Sequence, residues 1–178
     1  MPPRPASTAQ STDMILGQEF LTWLWHKSDA QSHSFSDAAN APFQLFMEHR
    51  MVVQGGEGDT LETASVSGTL SPLREARFGL ATGKKVTRAT LRFEQDGLRW
   101  QLALKAEDFA VSGLRGPKTD RGDADDDPDA PLLERIYLME RCMALLDSLY
   151  GVFLRLRLSP QWTDEARQVH IWMTAQAV

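Results

Sequence analysis

Between Lys84 and Lys105 the chain alternates apolar and polar residues in two runs separated by Asp96-Gly97. A period of two marks a half-buried strand, and Asp-Gly between two such runs marks a two-residue hairpin turn. Closing on that turn pairs Gln95 with Leu98, Phe93 with Trp100, Leu91 with Leu102 and Ala89 with Leu104. The last three pairs share one face, and all are apolar. The opposite face carries Glu94 with Arg99, Arg92 with Gln101, Thr90 with Ala103 and Arg88 with Lys105. A slip of one residue would mix the two sets, so the pattern specifies its own register.

Elsewhere the pattern alternates between helix and strand. Leu16, Phe20 and Leu24 recur at helical spacing after Asp13, with Leu21, Trp23 and Trp25 beside them. This predicts a helix over 14–27, apolar over a wide arc and therefore well buried. Residues 28–40 are small and polar and read as a loop. Residues 43–48 and 50–54 read as two short strands, 61–70 as a third with weak faces, and 109–114 as a further apolar piece. Ser71-Pro72 suits a helix start and Gly83 a helix stop. From Pro131 to Leu158, Leu132, Ile136, Met139, Met143, Leu146, Tyr150 and Phe153 step by four and three. That heptad-like stripe predicts one long helix, with Ile136, Met139, Met143, Leu146, Tyr150 and Phe153 as a candidate oligomer interface. A last helix follows over 161–175, with Trp162, Val169 and Trp172 as its apolar contacts.

These elements predict an α+β fold: an antiparallel or mixed sheet of about five strands packed by helices, with a long C-terminal helix. The expected organisation is a flexible tail at 1–12, an α+β domain at 13–115, an acidic linker at 116–130 and a helical segment at 131–178 that packs on the domain or on a partner. A length of 178 residues with 42% hydrophobic content fits one domain, or one with a small appendage.

Charge changes the picture of the hairpin. Arg74, Arg77, Lys84, Lys85, Arg88, Arg92, Arg99 and Lys105 face only Glu75, Glu94 and Asp96 within 74–105, a local charge of +5. The whole chain carries −5, which leaves −10 on the remainder. Local fields steer charged ligands, so a cationic ribbon in an acidic protein points to an anionic partner, with nucleic acid the first candidate. The eight cations are the candidate contacts to phosphates, and no motif for reading base edges accompanies them.

The remaining motifs carry little chemistry. Gly79 to Lys85 approaches a phosphate loop, but its spacer is one residue short, Lys85 stands where Ser or Thr would hold magnesium, and it runs from helix to strand. Asp123 to Glu134 matches the acidic positions of a calcium loop, yet Pro128 stands where a glycine-like turn is required. The four histidines show no ligand spacing, and Cys142, the single cysteine, falls within the long helical pattern. No catalytic constellation, metal site or cofactor motif is visible, and the chain reads as non-enzymatic. One cysteine, a Pro/Ser/Thr-rich start and the lack of a long apolar run predict a cytoplasmic protein outside the membrane.

The run Leu16-Gly17-Gln18-Glu19-Phe20-Leu21-Thr22-Trp23-Leu24-Trp25 resembles the opening of the second half of the recombination-associated protein RdgC family. So do Gly83-Lys84-Lys85-Val86-Thr87 with the alternating strand that follows, and the late helix. The likeness covers roughly 16–158. Members of that family are α+β proteins that form ring-shaped dimers around double-stranded DNA, bind it with little sequence preference and restrain recombinase-driven recombination. The resemblance therefore implies a nucleoid-associated, homodimeric DNA-binding protein that antagonises a recombinase. By position, the family's basic strand region maps onto Lys84, Lys85, Arg88 and Arg92. The family's N-terminal half has no counterpart in these residues. An alternative reading makes the chain a protein-interaction module, with the long apolar helix mediating assembly and the acidic linker engaging a basic partner.

Overall fold

The computed structural model describes residues 8–55, 62–67, 76, 78–118 and 129–175. Its centre is the hairpin of β4 (Lys85–Gln95) and β5 (Leu98–Lys105), joined at Asp96-Gly97. Both turn residues have positive φ, 52° and 76°, as the tight turn that matches strand twist requires. All eight cross-strand pairs expected from the alternation are present, from Gln95 opposite Leu98 to Arg88 opposite Lys105. Ala89, Leu91, Phe93, Trp100, Leu102 and Leu104 are buried on one face.

The sheet grows outward from this hairpin. β6 (Val111–Arg115) pairs with β5, and β2 (Pro42–Gly55) pairs with β4. The far edge of β2 takes β1 (Ser34–Ser36) along its first half and β3 (Glu62–Ser67) along its second. Every pairing is antiparallel, giving an open six-stranded sheet. The two short strands expected at 43–48 and 50–54 are one strand. A bulge between Met47 and Met51 keeps both methionines on the buried face, so the break in the pattern is a bulge and not a turn. β1 lies where a loop was expected. Its three residues carry too little pattern to reveal it, and pairing with Pro42–Gln44 and the stacking of Phe35 on Phe43 create it.

Helix α1 (Thr8–Ala30) lies across the buried face and starts before the expected 14–27 span, so residues 8–12 of the expected tail are helical. Gly17 allows the approach: a Cβ there would stand 1.9 Å from the Ala106 carbonyl oxygen. A helix α2, described at 76 and 78–81, ends as the sequence suggests. Gly83 at φ 90° donates to the Leu80 carbonyl (3.0 Å) and Lys84 to the Gly79 carbonyl (3.0 Å), the paired bonds of a Schellman stop. The Gly79–Lys85 stretch is thus a helix end followed by a strand.

Helix α3 (Ala130–Arg157) and helix α4 (Trp162–Ala175) complete the layer over the sheet. Phe20 and Trp23 of α1 pack on Phe153 of α3 (5.3 and 5.5 Å between ring centroids), and Trp25 meets Trp172 of α4 (5.3 Å). α1 is therefore covered on two sides, which explains its wide apolar arc. The buried side chains of α1, α3 and the sheet form one cluster.

The expected stripe on α3 is divided. Leu138, Cys142, Leu145, Leu146, Leu149 and Phe153 are buried in the chain's own core. Of the candidate interface residues, Leu146 and Phe153 are therefore internal. Tyr150 is partly buried against Phe20 and Phe109, and Met143 is partly buried. Only Ile136 and Met139 remain on the surface, 44% and 48% exposed. The buried residues Leu138, Cys142, Leu145 and Leu149 keep the four-and-three spacing but lie one position before the expected Met139, Met143, Leu146 and Tyr150, so the face turned to the core is shifted around the helix. Most of the acidic linker, including the calcium-like positions before Asp129, lies outside the described residues, as do Arg74, Arg77 and residues 1–7 of the tail.

Candidate nucleic-acid interface

The helices cover one face of the sheet. On β2, β4, β5 and β6 the other face is uncovered among the described residues, and it carries the charged half of the hairpin. Arg88, Arg92, Arg99 and Lys105 sit there together, as the alternation requires. Arg115 on β6, in register with Gln101, adds a fifth cation that the sequence reading did not nominate. Its strand is short and its alternation weak, so only the pairing places it beside the hairpin.

These cations are not equivalent. Arg92 is bonded to both Glu48 and Glu94, and its guanidinium lies 4.0 Å from the centre of the Phe46 ring, which in turn packs on His33. Arg99, 68% exposed, pairs with Glu94 at 2.8 Å. Lys105 pairs with Glu107 at 2.7 Å and lies 3.9 Å from Asp108. The hydrogen bond to Glu107, followed by the field of Asp108, raises the Lys105 pKa, while Arg88 works against it. Arg88 differs from all three. Its guanidinium donates to the Ser112 hydroxyl of β6 (3.1 Å) and has no carboxylate partner among the described residues.

Lys84 and Lys85 lie at the start of β4, apart from the hairpin cations. The Lys84 stem packs between Gly55 and Gly79, and Lys85 lines a groove between α1 and α4 with Glu19, Trp23 and Trp162. Arg88 faces Val52 and Val86 faces Val53, so Thr87 is an extra residue in β4, and Val86 joins Ala89 on the buried side. The cations that the hairpin and β6 gather on the uncovered face are Arg88, Arg92, Arg99, Lys105 and Arg115.

Among the described residues no group of three His, Cys, Asp or Glu side chains is placed to hold a metal ion, and no helix is long and apolar enough to cross a membrane. Burial pushes the Cys142 thiol up to about 12, which keeps it protonated and a poor nucleophile.

No family model matches the chain, and neither a curated protein nor a solved structure matches it.

Proposed function

We propose that the uncovered sheet face binds double-stranded DNA through its phosphates, without sequence preference and without catalysis, and that the chain acts in the control of recombination at the nucleoid. The observation that supports this is the gathering of Arg88, Arg92, Arg99, Lys105 and Arg115 on one face while helices occupy the other. Two strands can enter a major groove about 12 Å wide. Here β2 and β6 flank the hairpin, and four strands at about 4.8 Å spacing are too broad to enter. Contact is thus confined to the backbone, which carries no sequence information. Glu48, Glu94 and Glu107 compete with phosphates for the cations, so binding is weak and strongly salt-dependent. The link to recombination rests on the resemblance of residues 16–25.

A fluorescence titration of a mixed-sequence duplex at several salt concentrations tests the reading. With two to four phosphates neutralised, the slope of log K against log salt is about −2 to −4, and Arg88→Gln with Arg99→Gln reduces it by about 2. Undetectable binding at low salt, or a slope that ignores both substitutions, would overturn the proposal.

A second reading, homodimeric assembly through α3, is supported by a different observation. Leu132, Leu133, Ile136, Tyr137 and Met139, on its first turns, are between 44% and 61% exposed. Contiguous apolar surface of this kind marks an interaction site more often than a solvated helix. Sedimentation over a range of concentrations should show a dimer that Leu133→Asp dissociates. A monomer at high concentration removes this reading.

A further inference from the structure

We infer that Arg88 and Lys105 form a discrete site for one phosphate group, and that Glu107 is its built-in competitor. The inference rests on the DNA-binding reading and narrows it to one place. Arg88 and Lys105 are directly opposite across β4 and β5, and like charges in that position destabilise a sheet. The repulsion is only half relieved. Glu107 and Asp108 hold the ammonium, while the guanidinium has a neutral hydroxyl, Ser112, and no acid among the described residues. An anion lying between the two cations removes the repulsion on both sides.

The backbone supplies the room. The extra residue in β4, Thr87, interrupts the ladder beside Val52, and its hydroxyl turns to the Val52 carbonyl at 3.3 Å. The interruption leaves a notch of about 200 Å³ lined by Val52, Gln54, Thr87, Arg88, Lys105 and Glu107. At about 30 Å³ per water, that volume takes a phosphate group with some of its hydration. The Ser112 bond occupies one guanidinium nitrogen of Arg88, which also lines the notch, and leaves its other donors for an anion. Glu107 is 60% exposed and can swing to solvent when phosphate takes its place on Lys105.

The test is an NMR titration of the full chain, following the backbone amides of Thr87, Arg88, Lys105 and Ala106. One arm uses inorganic phosphate and the other a mixed-sequence DNA duplex. Saturable shifts at these amides are expected in both arms and are lost in Arg88→Gln, while Glu107→Gln tightens binding about two- to five-fold, the range of one exposed ion pair. The duplex arm alone moving these amides assigns the site to polymer phosphate, the phosphate arm alone to a free phosphoryl ligand. If Arg88→Gln leaves the titrations unchanged, or Glu107→Gln weakens binding or leaves it as it was, the site is refuted. A duplex that shifts other residues of the uncovered face but not these refutes the site and leaves the DNA-binding reading standing.

Discussion

The side-chain oxygen of Gln95, the last residue of β4, accepts two hydrogen bonds from Arg141 of α3, at 3.1 and 3.0 Å. Gln95 is buried, and its amide nitrogen donates to Asp37 at 3.0 Å, while Arg141 also bonds Asp96 in the hairpin turn. One polar network thus ties the long helix to the tip of the hairpin. Arg141→Ala strands the Gln95 oxygen in the interior and should cost about 1–3 kcal/mol. Urea denaturation measures it. Gln95→Leu in the Arg141→Ala background should cost less than the sum of the separate changes, because the stranded oxygen is gone.

Two glycines in helices should respond in opposite ways. Gly17→Ala drives a methyl group into the Ala106 carbonyl and separates α1 from the sheet, at a cost of about 1–3 kcal/mol or more. Gly151→Ala on α3 meets only the far end of the Arg155 side chain, at 3.5 Å, and should gain about 0.5–1 kcal/mol from helix entropy. Thermal melts of the two variants should move apart, by roughly 2–4 °C for each kcal/mol in a chain of this size.

Arg92 and Arg99 are neighbours with different roles. Removing Arg92 leaves Glu48 and Glu94 facing each other beside Phe46. Arg92→Gln should therefore lower stability by about 1 kcal/mol. Arg99→Gln, on the exposed rim, should change stability by less than about 0.5 kcal/mol. Equal losses for the two in denaturant titrations would show that the Arg92 cluster adds nothing.

Stability should fall as acid is added, beginning at His26. Burial lowers its pKa below 6.5, and Lys27 lowers it further, against the opposing fields of Glu165 and Asp29. Glu165, on α4, also accepts from the Trp23 indole (3.0 Å) and binds Lys27 (2.7 Å), and Trp172 packs edge-on against the imidazole. Above pH 6.5 the imidazole is neutral in both states and has no effect. Below it the unfolded chain takes up a proton that the folded chain resists, so stability declines until the folded-state pKa is reached. Asp37 contributes a second decline at lower pH: the hydrogen bond from Gln95, then that from the Ala41 N–H, holds its carboxyl below the usual range. His26→Leu should flatten the stability profile between pH 7 and 5 and leave the more acidic limb in place.

Cys142 should resist thiol reagents. It is buried on α3, and burial raises its pKa to about 12. A chromogenic disulfide reagent at pH 8 should react only at the rate at which the chain unfolds, and at once in strong denaturant. Rapid labelling of the native chain would place Cys142 outside the core.

Much of the fold is legible from local pattern. The β4–β5 hairpin declares turn, register and buried face in one stretch, because Asp96-Gly97 and three apolar pairs agree. α3 and α4 are equally plain from periodicity. β1 and the continuity of β2 are not, since a three-residue strand and a bulge exist only through their partners. The candidate site was half legible. Arg88, Arg92, Arg99 and Lys105 follow from alternation, whereas Arg115 depends on the pairing of β6, and the extra residue at Thr87, which turns Val86 to the buried side, is set by the pairing with β2.

What the chain determines by itself is which residues share a face, because the period of a strand or helix is set by backbone geometry. It thereby separates an apolar side from a cationic one and places +5 of charge on residues 74–105. Only the tertiary structure decides how that charge is used. Glu48 comes from β2 to neutralise Arg92, Ser112 comes from β6 to orient Arg88, and the core of α1 and the sheet takes up Leu146 and Phe153. The physical reason is one of range: periodicity acts between neighbours in sequence, whereas ion pairing and burial depend on groups that only the folded chain brings within a few ångströms.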